Sequence, residues 1–151
     1  MSVRAQRPCI LVDSREQAPL TFSNAVTVER GVTLPTGDYS LRGFTDSVAI
    51  ERKSKPDLVA CVGPERDRFL EQMTRLAGYR VRALVVEASW EELAAGVYRS
   101  ATNPRSVTGT LLALVVDRGI PVLLVGSARE AAEAVERMLV RVARNGVEVA
   151  A

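Results

Sequence analysis

The sequence predicts an α/β domain in which helices flank a central mixed β-sheet. The first part of the chain contains short apolar runs that end in charged residues, a pattern typical of strands. The later part alternates amphipathic stretches at helical spacing with two more apolar runs. A chain of 151 residues, 47% hydrophobic and 25% charged, has room for one such domain with a single core.

Four closely spaced strands are predicted in the first half of the chain. They lie at 9–16, at 25–30, near 38–42 and at 46–53. Glycine and proline turns separate them, and such short connections are typical of hairpins. We therefore expect this half of the sheet to be antiparallel.

Helices alternate with the last two strands in the second half. The predicted helices are 64–79, a short segment after Ser89, a longer one from Asn103-Pro104 to Gly119, and 128–145, and the predicted strands are 80–88 and 120–127. Two of these helices open with a capping-box pattern, Ser89 with Glu92 and Ser127 with Glu130. Helices that alternate with strands in this way are expected to pack over the faces of a mixed sheet.

The composition excludes several classes of active site. The chain has no histidine, which excludes histidine general bases, triads that use histidine, and the usual Cys/His zinc sites. Cys9 and Cys61 are the only cysteines, and we expect reduced thiols packed in the core. Because no apolar run reaches membrane-spanning length, we expect a cytoplasmic protein, nucleoid-associated in a prokaryote, with no membrane partner.

Acidic side chains fall at the ends of several predicted elements. Asp13 ends the first strand, Asp38 follows a glycine turn, Glu51 ends the fourth strand, and Asp57 opens the helical region. If the third and fourth strands pair as a hairpin, Asp38 and Glu51 come close at one edge of the sheet. Such carboxylates repel each other unless a divalent cation lies between them, and Mg²⁺ prefers oxygen ligands of this kind.

Both lysines of the chain, Lys53 and Lys55, follow Glu51 closely. Lys53 is two residues from Glu51 and therefore projects from the same face of the strand. A compact ammonium there can hold an attacking water or stabilise charge on a phosphate, whereas no comparable argument favours Lys55. The alternative is that charged strand ends simply reach solvent, and each short motif alone is a weak indication of a site.

Four segments carry the most distinctive patterns of the chain. They are VDSRE (12–16), TGDY (36–39), IERKSKPD (50–57) and RFLEQMTRL (68–76). Together they resemble the nuclease domain of the XPF-type structure-specific endonuclease family, whose signature is Glu-Arg-Lys, three residues and Asp, preceded by Gly-Asp. The resemblance covers nearly the whole chain, because residues 109–135 are similar to the family's closing helix, strand and helix.

The resemblance implies a restriction-endonuclease-like fold and a metal-dependent endonuclease. Such an enzyme hydrolyses DNA near branched, flap or fork junctions with Mg²⁺ or Mn²⁺. By this resemblance Asp38 and Glu51 would be metal ligands, and Asp13 would be a further acidic member of the site. Lys53 would be the catalytic lysine.

Further residues are assigned to the site by the same resemblance. Arg52 and Asp57 would orient the site or contact the scissile strand. The residues expected to contact DNA are Arg15, Glu16, Lys55, Arg68 and Gln72. A net charge of only +2 means that positive charge must be concentrated on one face if the chain binds nucleic acid.

Partners are also implied by the resemblance. Family members usually carry a tandem helix-hairpin-helix module after the nuclease, whereas residues 1–151 are expected to form a single nuclease domain without one. We therefore expect a separate DNA-binding partner, a homodimer or heteromer formed through the nuclease domain, or a longer parent chain. The last helix and the strand 120–126 are the surfaces expected to mediate dimerisation.

Two other functions stay open at this point. One is a catalytically silent nuclease-fold subunit that binds DNA or scaffolds an active partner in a repair or recombination complex. Such a subunit would be expected to lose acidic ligands or the lysine, and this chain keeps them. The other is a sequence-specific restriction-like enzyme, for which no base-reading insertion is evident.

Overall fold

In the computed structural model, which describes residues 6–146, six strands form one mixed sheet and five helices flank it. The elements are β1 (Cys9–Asp13), β2 (Thr27–Val32), β3 (Tyr39–Leu41), β4 (Val48–Ser54), α1 (Lys55–Val62), α2 (Arg66–Leu76), β5 (Val81–Glu87), α3 (Trp90–Ala95), α4 (Pro104–Arg118), β6 (Val122–Leu124) and α5 (Ala128–Arg144). The strand order across the sheet is β2-β1-β3-β4-β5-β6. The predicted fold class is therefore confirmed.

The first half of the sheet is only partly antiparallel. β1 pairs antiparallel with β3, and β3 pairs antiparallel with β4 through Tyr39 and Ile50. β2 pairs parallel with β1, so the expected antiparallel arrangement of the segment 25–30 is wrong. The physical reason is the connection 14–26, which at about a dozen residues is long enough for a parallel crossover.

The second half of the sheet is parallel. β4 pairs with β5 over its whole length, from Val48 with Val81 to Ser54 with Glu87, and β5 pairs with β6. Helices fill the connections between these strands. Parallel strands covered on both faces carry near-continuous apolar runs, which explains the runs that predicted β4 and β5.

Side chains alternate across the sheet and build a hydrophobic core on each face. On one face, Ala49 of β4 and Leu84 of β5 pack among residues of α1, α2, α3 and α4. On the other face, Ile50 and Val85 pack among residues of β1, β3 and α5. These two clusters fix the face on which each later residue of β4 and β5 lies.

The helical region after β4 contains two helices where one was predicted. The side chain of Ser54 caps α1 by accepting a hydrogen bond from the Asp57 backbone N–H at 3.3 Å. Gly63 then separates α1 from α2. The predicted helix 64–79 therefore corresponds to α2, whereas α1 was not predicted as a separate helix, although a serine cap followed by a first-turn proline marks its start.

The two predicted capping boxes have different outcomes. Ser89 accepts from the Glu92 N–H and the Glu92 carboxylate accepts from the Ser89 N–H, so this box is complete. Ser127 accepts from the Glu130 N–H, but the Glu130 carboxylate accepts from the Gly126 N–H. α5 therefore has its N-cap without the reciprocal bond.

Both thiols are free, and one of them is packed in the core as expected. Neither cysteine is in a disulfide; Cys61 is buried, whereas Cys9 is half-buried rather than fully packed. Among residues 6–146, no helix combines the length and apolar character needed to cross a membrane.

Candidate active site

A cleft of about 240 Å³ opens beside the end of β4. It is bounded by the turn before β3, by β4 and by one face of α2. Its lining residues are Arg15, Pro35, Thr36, Gly37, Asp38, Glu51, Lys53, Arg68, Gln72 and Arg75. The two carboxylates and the lysine that the sequence singled out therefore share one cleft.

Strand alternation directs Glu51 and Lys53 into the cleft. Both follow Ala49 at two-residue spacing, and Ala49 lies on the face that α2 covers. Lys53 Nζ is 3.5 Å from Glu51 Oε1, with 17% of the lysine and 12% of the glutamate side chain exposed. The ammonium is thus held against the carboxylate instead of extending into solvent.

A glycine turn directs Asp38 to the same place. Gly37 has φ +82°, and a Cβ there would lie 3.0 Å from the Ile50 carbonyl oxygen, so only glycine fits this close approach. The Asp38 N–H donates to that carbonyl at 2.8 Å. Beyond it, the Arg52 backbone N–H donates to Asp38 Oδ2 at 2.8 Å. The β3–β4 hairpin therefore sets the carboxylate of Asp38 beside β4.

The two carboxylates are half-buried and lie close together. Burial, and next the negative charge of Glu51, raise the pKa of Asp38 from 3.8 to about 7, against the opposing effects of the Arg52 N–H and Lys53. Burial likewise raises the pKa of Glu51, while Lys53 opposes the rise. A divalent cation would relieve this repulsion, so the pair is suited to bind one.

Lys53 carries a fixed positive charge in the cleft. Burial by itself would lower the pKa of Lys53, but the negative groups around it, Glu51 first among them, outweigh burial and raise it. The side chain therefore stays protonated at neutral pH. A permanently charged ammonium can donate hydrogen bonds and stabilise negative charge, but it cannot act as a general base.

The donor set of the pair fits a hard divalent cation. Mg²⁺ commonly uses one or two carboxylates and keeps several waters, and Mn²⁺ accepts similar oxygen ligands. In the part of the chain that the structure describes, no group of three or more His, Cys, Asp or Glu side chains is placed to hold a metal ion. An ion in this cleft would therefore use Asp38 and Glu51, with waters or substrate oxygens as its other ligands.

Asp13, the third predicted ligand, has other partners. Its carboxylate accepts from the Arg15 backbone N–H at 3.0 Å, from the Arg15 guanidinium at 2.7 and 3.2 Å, and from the Leu34 N–H at 2.8 Å. Burial would raise the pKa of Asp13, but these hydrogen bonds outweigh it and lower the pKa. Asp13 does not line the cleft; it orients Arg15, which does.

Arg52 and Glu16 meet on the opposite face of the sheet. Because Arg52 is one residue from Glu51, its side chain projects away from the cleft. Its guanidinium lies 3.6 Å from Glu16 and 3.0 Å from Glu87, and it donates to the Ala18 carbonyl at 2.6 Å. Arg52 reaches the site only through its backbone N–H.

Asp57 and Lys55 lie at the start of α1 and do not line the cleft. The Asp57 side chain is exposed. Lys55 Nζ is 2.8 Å from Glu92 Oε2, and this contact, followed by the bonds to Ser89, lowers the pKa of Glu92 to about 2. The structure thus gives Lys55 a partner on α3.

One face of α2 adds a polar and basic row to the cleft. Arg68, Gln72 and Arg75 are spaced as i, i+4 and i+7 and line the cleft together. Arg75 was not predicted, although the helical spacing that pairs Arg68 with Gln72 also points to it. With Arg15, these side chains provide the concentrated positive charge that a phosphate backbone requires.

An α/β domain with two carboxylates and a lysine in a basic cleft has the features of a nuclease. The family model for the ERCC4 domain matches residues 12–138. The chain belongs to this family, the family of the XPF-type nucleases, which confirms the resemblance seen in the sequence.

Relatives with longer chains share this domain. A Methanocaldococcus jannaschii protein that carries the name of an ATP-dependent RNA helicase is 30% identical over 125 residues, 82% of this chain and 14% of that protein. The 3′-flap repair endonuclease Xpf of Saccharolobus solfataricus is 30% identical over 136 residues, 85% of this chain and 53% of that protein. XPF from Aeropyrum pernix in complex with DNA has a TM-score of 0.70 and 28% identity over 93% of this chain and 66% of that chain. The chain therefore spans only part of the length of these relatives.

Proposed function

We propose that this domain is a divalent-metal-dependent, structure-specific DNA endonuclease. It would hydrolyse phosphodiester bonds near branched, flap or fork junctions during DNA repair or recombination. The observation that carries the proposal is the cleft in which the half-buried carboxylates of Asp38 and Glu51 lie beside Lys53. The name of the Saccharolobus relative and the DNA complex of the Aeropyrum protein support the substrate class. In a prokaryote its place of action would be the cytoplasm and nucleoid.

Asp38 and Glu51 are proposed to hold Mg²⁺ or Mn²⁺. A bound ion of this kind acidifies a water and neutralises charge on phosphoryl oxygens. Asp38 must lose its proton to become a ligand, and the Arg52 N–H at Oδ2 stabilises the ionised form. The two side chains thus supply the negative charge that the ion requires.

Lys53 is proposed to act on the water and the phosphate. Its ammonium is fixed by Glu51 at 3.5 Å and stays charged at neutral pH. From there it can donate a hydrogen bond to a water or to a phosphate oxygen that gains charge. A charge that is already in place requires no reorganisation during the reaction.

Arginines around the cleft are proposed to hold the DNA backbone. Arg15, Arg68 and Arg75, with Gln72, line the same cleft as the carboxylates. Contacts to phosphates give affinity and register without reading bases, which fits recognition by DNA structure. A separate DNA-binding module or partner would supply additional grip on the duplex.

Cleavage of labelled flap, fork, bubble and plain duplex DNA tests the proposal. Wild type is expected to cut the branched substrates only with Mg²⁺ or Mn²⁺, and Asp38→Ala and Lys53→Ala are expected to abolish cutting. Equal, metal-independent activity of all three proteins would contradict the proposed metal-dependent cleavage by this domain. Binding of branched DNA without cutting by wild type would support a catalytically silent subunit instead.

A second copy or a related nuclease subunit is proposed to cover an apolar surface on α4. Leu112, Val115 and Val116, here called the α4 apolar surface, are 52%, 45% and 80% exposed. Adjacent exposed apolar residues at i, i+3 and i+4 spacing indicate a docking face. α4 packs against β6, the edge strand that the sequence associated with dimerisation.

A further inference from the structure

The half-buried carboxylate of Glu87 lies outside the cleft and has a defined partner. Glu87 is the last residue of β5, beside Ser54 of β4, and its side chain is 14% exposed. Arg52 Nε donates to Glu87 Oε2 at 3.0 Å, and Arg52 Nη2 donates to Glu87 Oε1 at 3.4 Å. Two bonds between a guanidinium and a carboxylate fix orientation as well as charge.

The same guanidinium connects three segments of the chain. Arg52 Nη1 donates to the Ala18 carbonyl at 2.6 Å and lies 3.6 Å from Glu16 Oε2. Arg52 is 12% exposed, so this network is largely shielded from water. It holds the connection 14–26, which contains the cleft residue Arg15, against β4 and β5.

The backbone of Arg52 links this network to the metal site. Its N–H donates to Asp38 Oδ2 at 2.8 Å. The paired register of β3 with β4 is Tyr39 with Ile50, so Arg52 lies beyond the end of that ladder. On the β3 side no further ladder pair holds Arg52, so its backbone is held by the pairing of β4 with Val85 of β5 and by the network around its guanidinium.

We propose that Glu87 is a positioning residue for the metal site. It holds the Arg52 guanidinium, and Arg52 in turn keeps its backbone N–H at Asp38 Oδ2, which directs the Asp38 carboxylate toward the cleft. This inference rests on the proposed nuclease function. Removing a residue that orients a metal ligand without contacting the metal typically lowers metal affinity or activity by about 10- to 100-fold.

The first test compares wild type with Glu87→Gln. Glutamine keeps the size of the side chain but removes the charge that holds the guanidinium. Calorimetric titration with Mn²⁺ alone is expected to show an affinity about 10-fold lower. With flap DNA, kcat is expected to fall by a similar factor and KM to stay near its wild-type value, because no phosphate contact is lost.

Glu136→Gln is the matched control. Glu136 also anchors the connection 14–26, by accepting from the Ser23 N–H at 2.7 Å and the Ser23 hydroxyl at 2.8 Å, but it does not touch Arg52. If anchoring of that connection in general were what matters, both variants would lose Mn²⁺ affinity equally. We expect the control to bind Mn²⁺ as wild type does.

A second variant separates positioning from stability. Replacing the whole network by neutral groups, as Glu16→Gln, Arg52→Met and Glu87→Leu together, removes buried charges without leaving one unpaired. Such replacements are often neutral or stabilising for folding. We expect thermal stability near that of wild type and Mn²⁺ affinity that is still lowered.

The outcomes distinguish this inference from the proposed function. If Glu87→Gln binds Mn²⁺ with wild-type affinity, the positioning role is wrong and the proposed function is unaffected. The same holds if the triple variant has both wild-type stability and wild-type Mn²⁺ affinity. Wild type that neither binds Mn²⁺ nor cuts flap DNA would overturn the proposed function, and the role of Glu87 with it.

Discussion

Lys53 is the residue whose removal should separate chemistry from metal binding. Lys53→Met keeps much of the side-chain length but removes the ammonium that lies 3.5 Å from Glu51. Cleavage of flap DNA is expected to fall by at least about 100-fold, because charge on the phosphate is no longer stabilised. Mn²⁺ affinity measured by calorimetry should be kept, since the lysine competes with the ion for Glu51.

The other lysine gives the comparison. Lys55→Met removes a side chain that pairs with Glu92 outside the cleft, so it should change KM for DNA at most and leave kcat near wild type. Loss of Mn²⁺ affinity in Lys53→Met with cleavage retained would contradict the role proposed for this lysine.

The raised pKa of Asp38 predicts how the free energy of unfolding depends on pH. Its pKa rises from 3.8 to about 7 on folding, so between these values the folded protein binds a proton that the unfolded chain has released. The contribution of Asp38 to stability is therefore greatest below about pH 4 and is lost as the pH rises through 7. Relative to Asp38→Asn, metal-free wild type should lose up to about 4 kcal/mol of unfolding free energy across this range.

Denaturant unfolding of the two proteins between pH 4 and pH 8 measures this difference. Both proteins retain every other titrating group, so the curves are separated by the titration of Asp38 and by its effect on the neighbouring carboxylate of Glu51. Saturating Mn²⁺ at pH 8 should restore stability to wild type more than to Asp38→Asn. Parallel stability curves would show that Asp38 titrates normally and is not crowded by Glu51.

The spacing of residues in the sequence was enough to predict part of the candidate site. The hairpin and the two-residue alternation of a strand predicted that Asp38, Glu51 and Lys53 would meet. The same alternation places Arg52 on the opposite face, a consequence that the sequence interpretation did not use. The hydrogen-bond partners of Asp13 could not be predicted from the sequence. Leu34 is distant in the chain, and only the folded structure brings its N–H to the Asp13 carboxylate.

At the scale of elements, the basic row on α2 predicts a graded effect on DNA binding. Arg75→Gln removes one cation that lines the cleft. Affinity for flap DNA should fall at low salt, and the slope of log K against log salt should decrease by about 1, because one phosphate contact is lost. Fluorescence anisotropy over a series of salt concentrations measures both quantities.

Arg141→Gln on α5 is the control for Arg75. Arg141 lines a separate concavity with Met138 and Arg144, so its removal should leave the salt slope unchanged. If both substitutions lowered the slope equally, DNA binding would depend on overall charge and not on the α2 row.

The elements themselves were predicted unevenly. β4 and β5 were found from the apolar runs 48–50 and 83–86, which are typical of strands with both faces covered. β2 was found as a strand, but its direction was wrong because a helix-free crossover and a long hairpin loop look alike in sequence. α1 was missed as a separate helix because its start depends on the Ser54 cap, a local signal that the charged motif around it obscured.

At the scale of the whole molecule, the α4 apolar surface predicts self-association. Val116 is 80% exposed, and Val116→Glu places a charge in the middle of that surface. Wild type is expected to sediment as a dimer and the variant as a monomer, because burying an unpaired carboxylate in an interface is costly. Their thermal unfolding temperatures extrapolated to low concentration should agree.

Val97→Glu is the matched control for this surface. Val97 is 54% exposed but follows α3 and is not part of the α4 apolar surface. The control should sediment as wild type does. A monomeric wild type, or equal dissociation by both substitutions, would contradict dimerisation through α4.

The central claim is that Asp38 and Glu51 together hold a divalent cation in the cleft beside Lys53. Crystals soaked in Mn²⁺ at pH 7.5, with anomalous diffraction data, test it most directly. We expect an anomalous peak within coordination distance of both carboxylates, about 2.0–2.4 Å from their oxygens, and no such peak in crystals of Glu51→Gln. Manganese bound elsewhere, with the space between Asp38 and Glu51 empty of it, would contradict the account.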